Sequence, residues 1–118
     1  MYKFINKNPM NLFVDDCTIR AISMAEGTTW DYTYDKLSDL AQLNGTLLND
    51  RKFILWYLDT NYRRIPINDE LIGELSFKYP KNTLLITTNG HIVCSKNSII
   101  YDTFDCRDRK VEYAWLVK

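Results

Sequence analysis

The sequence predicts an α+β fold, with helices first and an antiparallel sheet after them. Three observations carry this. Capped, apolar-periodic segments recur three times before Tyr62. After Pro80 the pattern changes to short runs rich in Ile, Val, Thr and Tyr, separated by turn residues. The two kinds of element are segregated along the chain, which distinguishes α+β from alternating α/β. The 118 residues suffice for one core, and residues 1–118 are read as one domain.

Residues 1–14 read as irregular, with a turn at Asn8-Pro9. Asp15-Asp16 then precedes a run in which Ile19, Ile22 and Ala25 share a face, and Gly27 closes it. That is a largely buried helix with an acidic N-cap and a glycine C-cap. Thr28-Thr29 can cap a second helix over roughly 30–44, with Trp30, Tyr34, Leu37 and Ala41 at helical spacing and Gly45 beyond. Asn49 can cap a third helix over about 50–60, where Phe53 to Leu58 is apolar all round. Trp30, Trp56 and Trp115 read as core. Tyr62 to Ile67 is short and β-like, and a short helix follows Asn68-Asp69-Glu70, ending before Pro80. Strands are predicted over 83–88, 91–95, 98–102 and 111–117.

Composition excludes some functions. Lys+Arg and Asp+Glu are both 15, so the chain lacks the basic excess of a nucleic-acid or anionic-membrane binder. No stretch of eighteen apolar residues exists to span a membrane, and the first residues carry no secretion signal. Three cysteines without a CxxC and one histidine make a poor disulfide framework and a poor zinc site. A reducing, cytoplasmic setting is the simplest expectation.

The chemistry concentrates in Cys17, His91 and Asp102. Cys17 falls in the first turn of a helix, where free amides and the dipole favour a thiolate. Asp15 and Asp16 oppose this, so a cation is needed from elsewhere. Alternatively, Cys17 is a buried structural cysteine. The sole histidine, His91, opens a strand after the turn Asn89-Gly90. A two-residue turn at Lys96-Asn97 would set His91 directly opposite Asp102, with Cβ atoms about 4.5–5.5 Å apart. The carboxylate would then orient the imidazole and raise its pKa. A longer turn would shift the register and make Asp105 the competing orienter. Together the three give Cys, His and an acid in chain order, and Cys–His is an activated nucleophile pair. The backbone amide of Cys17 and the side chain of Asn11, six residues upstream, are the candidate oxyanion donors. Cys94 belongs to the opposite strand face from His91, and Cys106 lies in a loop.

Two segments carry a resemblance: Asp16-Cys17-Thr18-Ile19-Arg20-Ala21, and Gly90-His91-Ile92-Val93 followed by Tyr101-Asp102-Thr103-Phe104-Asp105. They resemble the papain-like cysteine peptidases, above all small single-domain members, many phage-encoded, and the bacteriocin-processing peptidase domains of ABC transporters. The resemblance implies a papain-like fold whose central helix starts at the cysteine. It implies Cys17 as nucleophile, His91 as general base and Asp102 as orienter, with no cofactor and no metal. Such enzymes usually carry Gln where this chain has Asn11. Arg20 would lie one turn along the helix, in a salt bridge with Asp16 or with a C-terminal carboxylate.

The expected activity is cleavage of a peptide or isopeptide bond through a thioester, with a peptide or protein substrate and no nucleic-acid or membrane partner. The expected place is the cytoplasm, that of the host if the chain is phage-encoded. The alternative is a catalytically idle papain-like module that binds and blocks a host protein.

Overall fold

A computed structural model describes residues 1–5, 16–48, 50–103 and 105–118. The architecture is α+β, with four helices and a six-stranded, mostly antiparallel sheet. The helices are α1 (Cys17–Glu26), α2 (Trp30–Leu43), α3 (Arg51–Asn61) and α4 (Ile72–Lys78). The strands are β1 (Tyr2–Phe4), β2 (Arg63–Arg64), β3 (Thr83–Thr88), β4 (His91–Lys96), β5 (Ile99–Asp102) and β6 (Tyr113–Leu116), in the spatial order β1-β5-β4-β3-β6-β2.

The sheet divides two cores. On one face Leu85, Ile92, Cys94 and Trp115 pack against Ala21, Ile22 and Ala25 of α1, Leu37 of α2, and Phe53, Tyr57 and Leu58 of α3. On the other, Leu84, Ile86, Val93, Ile100 and Ala114 pack against Ile72 and Leu75 of α4 and against Cys106. Alternation along β3 and β4 sends successive residues to opposite cores, which is why both strands are buried over almost their whole length.

α1 runs to the predicted end, with Gly27 in the left-handed conformation at its C-cap (φ 71°). Its start differs in one respect. Asp16 is the N-cap residue, but its side chain makes no capping hydrogen bond. The carboxylate is taken instead by Arg20 and by the Trp30 indole N–H at 2.6 Å. α2 is capped as expected by Thr29, whose side chain accepts from the Tyr32 amide. α3 is capped by Asp50 through the amides of Lys52 and Phe53. The predicted cap Asn49 lies outside the described residues.

Two core assignments are corrected. Trp115 is fully buried, but Trp56 is 43% exposed on the outer side of α3. Trp30 is half-buried and stacks on the exposed Tyr34 ring, with centroids 5.3 Å apart. α3 therefore buries one face only, through Phe53, Tyr57 and Leu58.

One segment read as irregular is ordered. Tyr2–Phe4 forms β1 and pairs parallel with β5, Tyr2 beside Ile100 and Phe4 beside Asp102. The three predicted helices are then tied at one end by Glu26. Its carboxylate accepts from the Tyr57 and Tyr62 hydroxyls and from Lys36 at 2.6 Å. Glu26→Ala would strand these donors. It is expected to lower stability by about 2 kcal/mol, read as a fall in the urea midpoint at constant m-value.

Candidate active site

The β4–β5 hairpin places the base and the acid. Its two-residue turn is Asn97-Ser98, not Lys96-Asn97, and both turn residues have positive φ (51° and 64°). Such a turn suits the twist of a hairpin, and asparagine tolerates the left-handed region best among non-glycine residues. Lys96 therefore pairs with Ile99, Ser95 with Ile100 and Cys94 with Tyr101. The register is displaced by two residues from the expected one. His91 is not directly opposite Asp102 but diagonal to it. A two-residue shift preserves the strand face, and diagonal neighbours remain within reach of long side chains. The contact is accordingly made, with His91 Nε2 and Asp102 Oδ2 2.5 Å apart.

Asp102 is buried, 5% exposed, at the end of β5. Its Oδ1 accepts the Thr103 amide at 2.7 Å and faces Arg20 Nη2 at 3.8 Å. Asp105, the alternative orienter, is exposed and pairs with Arg107 through both carboxylate oxygens at 2.9 and 2.7 Å.

The helix places the sulfur. Cys17 is the first residue of α1 and half-buried. Cys17 and His91 line one groove, close enough for each to favour the charged form of the other. The Ile92 backbone amide also helps to hold the thiol down. Thus α1, on one face of the sheet, and the ends of β4 and β5 bring the three sequence-predicted residues together.

The electrostatics of the pair follow. Burial pushes the Cys17 thiol up, but the hydrogen bond and charge of His91, the Ile92 amide and the Arg20 guanidinium together hold it below its ordinary value. Burial pushes His91 down, but hydrogen bonds and charge from Asp102 and Cys17 outweigh it and raise the imidazole to about 9. Each partner favours the charged form of the other, so the pair tends toward thiolate and imidazolium. The other thiols differ. Burial pushes Cys94 and Cys106 up to about 12, Cys106 with help from Asp102.

A groove of about 270 Å³ opens at the sulfur. Cys17, His91 and Gly90 form its reactive end, Ile19 and Ile92 its floor, and Leu48, Ile54 and Leu55 an apolar wall. Arg51 stands at the same groove and is paired with Glu112 at 2.7 Å. The wall is the part that sequence reasoning missed. Ile54 and Leu55 lie in a run read as uniformly buried, and nothing in its periodicity marks one flank as open.

The described residues contain one oxyanion candidate. The Cys17 amide lies in the first turn of α1, where backbone N–H groups have no intrahelical acceptor. Asn11 lies outside the described residues. His91, Asp102 and Cys106 form a group with metal-ligating atoms within 4.8 Å of one another. However, Nε2 and Oδ2 at 2.5 Å are joined by a hydrogen bond, closer than two ligands of one tetrahedral ion would stand. No described helix is long and apolar enough to cross a membrane.

No protein-family model, curated protein or solved structure matches this chain. Function rests on the geometry of the site and on the sequence motifs around it.

Proposed function

We propose that the chain is a papain-like cysteine hydrolase that cleaves a peptide or isopeptide bond through Cys17, His91 and Asp102. The observation that carries this reading is one imidazole held between a half-buried thiol and a buried carboxylate, at the end of an apolar groove. The Cys17 thiolate would attack the amide carbonyl, forming the C–S bond as the carbonyl π pair moves to oxygen. The Cys17 amide would donate to that oxyanion. The imidazolium would then protonate the leaving nitrogen as the C–N bond breaks, leaving a thioester. Neutral His91 would take a proton from water as its oxygen attacks the thioester. Loss of the thiolate regenerates the ion pair and releases the acid. Asp102 would keep the ring oriented toward the sulfur. A peptide or protein substrate in the cytoplasm, that of a host if the chain is phage-encoded, fits this chemistry.

Alkylation by iodoacetamide at pH 6, mapped by mass spectrometry, tests the reading. Cys17 is expected to be labelled stoichiometrically while Cys94 and Cys106 stay unmodified, since only a thiolate reacts at that pH. An inert Cys17 in folded protein would remove the nucleophile and leave the idle, protein-binding module as the better reading.

A further inference from the structure

The buried cation of the site is Arg20, 9% exposed and one turn along α1 from the sulfur. Cys17 and Arg20 stand three residues apart, which puts them on the same helix face. The guanidinium reaches in two directions. Nη1 pairs with Asp16, which also accepts the Trp30 indole N–H at 2.6 Å. Nη2 stands 3.8 Å from Asp102 Oδ1. The carboxylate it faces is the one whose other oxygen holds His91 at 2.5 Å. Only a planar fork with separated N–H groups serves two carboxylates in this way. The space bounded by Cys17, Arg20, Ile92 and Asp102 is about 10 Å³, at the lower limit for one water. Charges there are weakly screened.

The geometry points to Arg20 as a positioning residue of the triad: its guanidinium clamps Asp16 at the start of α1 to Asp102 on β5, and so fixes the helix that carries Cys17 against the strands that carry His91 and Asp102. This rests on reading Cys17, His91 and Asp102 as the reactive group. It goes beyond an intrahelical salt bridge, which Asp16 and Arg20 would form at their spacing with no effect on the sulfur. The guanidinium is also among the charges that hold the Cys17 thiol down. Among the described residues, the charged and titratable groups around that thiol are Asp16 and Arg20 with α1, His91 of β4, Asp102 of β5, and Arg51 of α3 across the groove.

The test is the pH dependence of Cys17 alkylation by iodoacetamide, mapped on the intact chain. Arg20→Gln is expected to raise the midpoint by about one pH unit, a tenfold slower reaction on the acid side. Arg20→Lys returns the charge without the fork and is expected to restore only part of that shift. Asp16→Asn opens one arm of the clamp but leaves the guanidinium charge beside Asp102, and is expected to move the midpoint by less than Arg20→Gln does. Removing one partner of a buried pair can prevent folding. The double variant Asp16→Asn/Arg20→Gln removes both charges and should show the same upward shift. A merely structural Arg20 would lower the melting temperature and leave the midpoint alone, and that result in a folded Arg20 variant overturns the proposal. So does a shift in Asp16→Asn as large as in Arg20→Gln. His91→Ala in the same series separates the two claims. If it raises the midpoint while Arg20→Gln does not, only the clamp fails. If neither moves it, the Cys17–His91 pair fails with it.

Discussion

Cys17→Ala is expected to abolish hydrolysis of any peptide that the protein cleaves, by about four orders of magnitude or more, while the fold persists. The first half follows from the chemistry. No other described thiol can replace Cys17, because Cys94 and Cys106 are fully buried with thiols pushed up to about 12. The second half follows from its place. Cys17 is the half-buried first residue of α1, and the helix is anchored by Ile22 and Ala25 deeper in the core. Alanine suits a helix and removes one sulfur, so the urea midpoint should change little. Circular dichroism establishes the fold, and a peptide-library digestion measures the loss. Activity that survives in Cys17→Ala would sink the nucleophile assignment. The same variant makes a second, independent prediction. The chain has one histidine, so its imidazole is observed by NMR without ambiguity. Without the thiolate, His91 should titrate below the present value of about 9, yet stay above its ordinary 6.5, because Asp102 remains bonded to it.

Much of this arrangement was legible in the chain, for identifiable reasons. Local signals fixed local elements. Asp16 and Gly27 bound α1, Thr29 caps α2, and β3 begins and ends where its run of Thr and aliphatic residues does. The His91–Asp102 contact was also legible, although the turn was misplaced. Strand faces have period two, so an error of two residues in register cancels. What failed depends on partners distant in sequence. β1 is three residues long and is defined by a parallel neighbour almost a hundred residues away, which no local pattern announces. Asp16 looks like an ordinary cap, but Arg20 one turn along and the Trp30 indole on α2 take its carboxylate in place of the helix amides. The i,i+4 spacing of Asp16 and Arg20 was visible; the reach of Arg20 to Asp102 required the fold. Trp56 sits in a run that is apolar all round and predicts burial on every side, whereas α3 turns it outward.

Asp102→Asn is expected to cost about two to four orders of magnitude in kcat/KM with the fold retained, because it removes the charge that the imidazole leans on. Asparagine still fills the space and can still accept the Thr103 amide at one atom, so packing at the end of β5 is kept. The imidazolium, however, loses its hydrogen-bonded counter-charge, and burial then dominates. His91 should fall from about 9 toward or below 6.5. The Cys17 thiol, now beside a neutral ring, should rise. The pH profile of kcat/KM gives the discriminating measurement. With Asp102 present, the reactive form exists between the lowered Cys17 pKa on the acid side and a basic limb near 9. With asparagine the two limbs move toward each other and the window closes. Stability reports the same pair with a definite sign. The raised His91 stabilises fully below about pH 6.5, and that share is lost as pH rises through about 9. The lowered Cys17 stabilises above its unfolded pKa of 9.0, and that share is lost as pH falls through its folded value. Between the lowered Cys17 value (or 6.5, whichever is higher) and 9, the folded pair holds one proton on the imidazole and the unfolded pair holds one on the thiol. Proton counts match, so the pair contributes almost no slope there. Cys17→Ala leaves His91 raised by Asp102 alone, and stability should then decline with rising pH from 6.5 upward. A profile of urea midpoint against pH in the unaltered protein, Cys17→Ala and Asp102→Asn measures this. A flat profile in Cys17→Ala, or an unmoved imidazole titration in Asp102→Asn, would show that the three residues do not act as a coupled group.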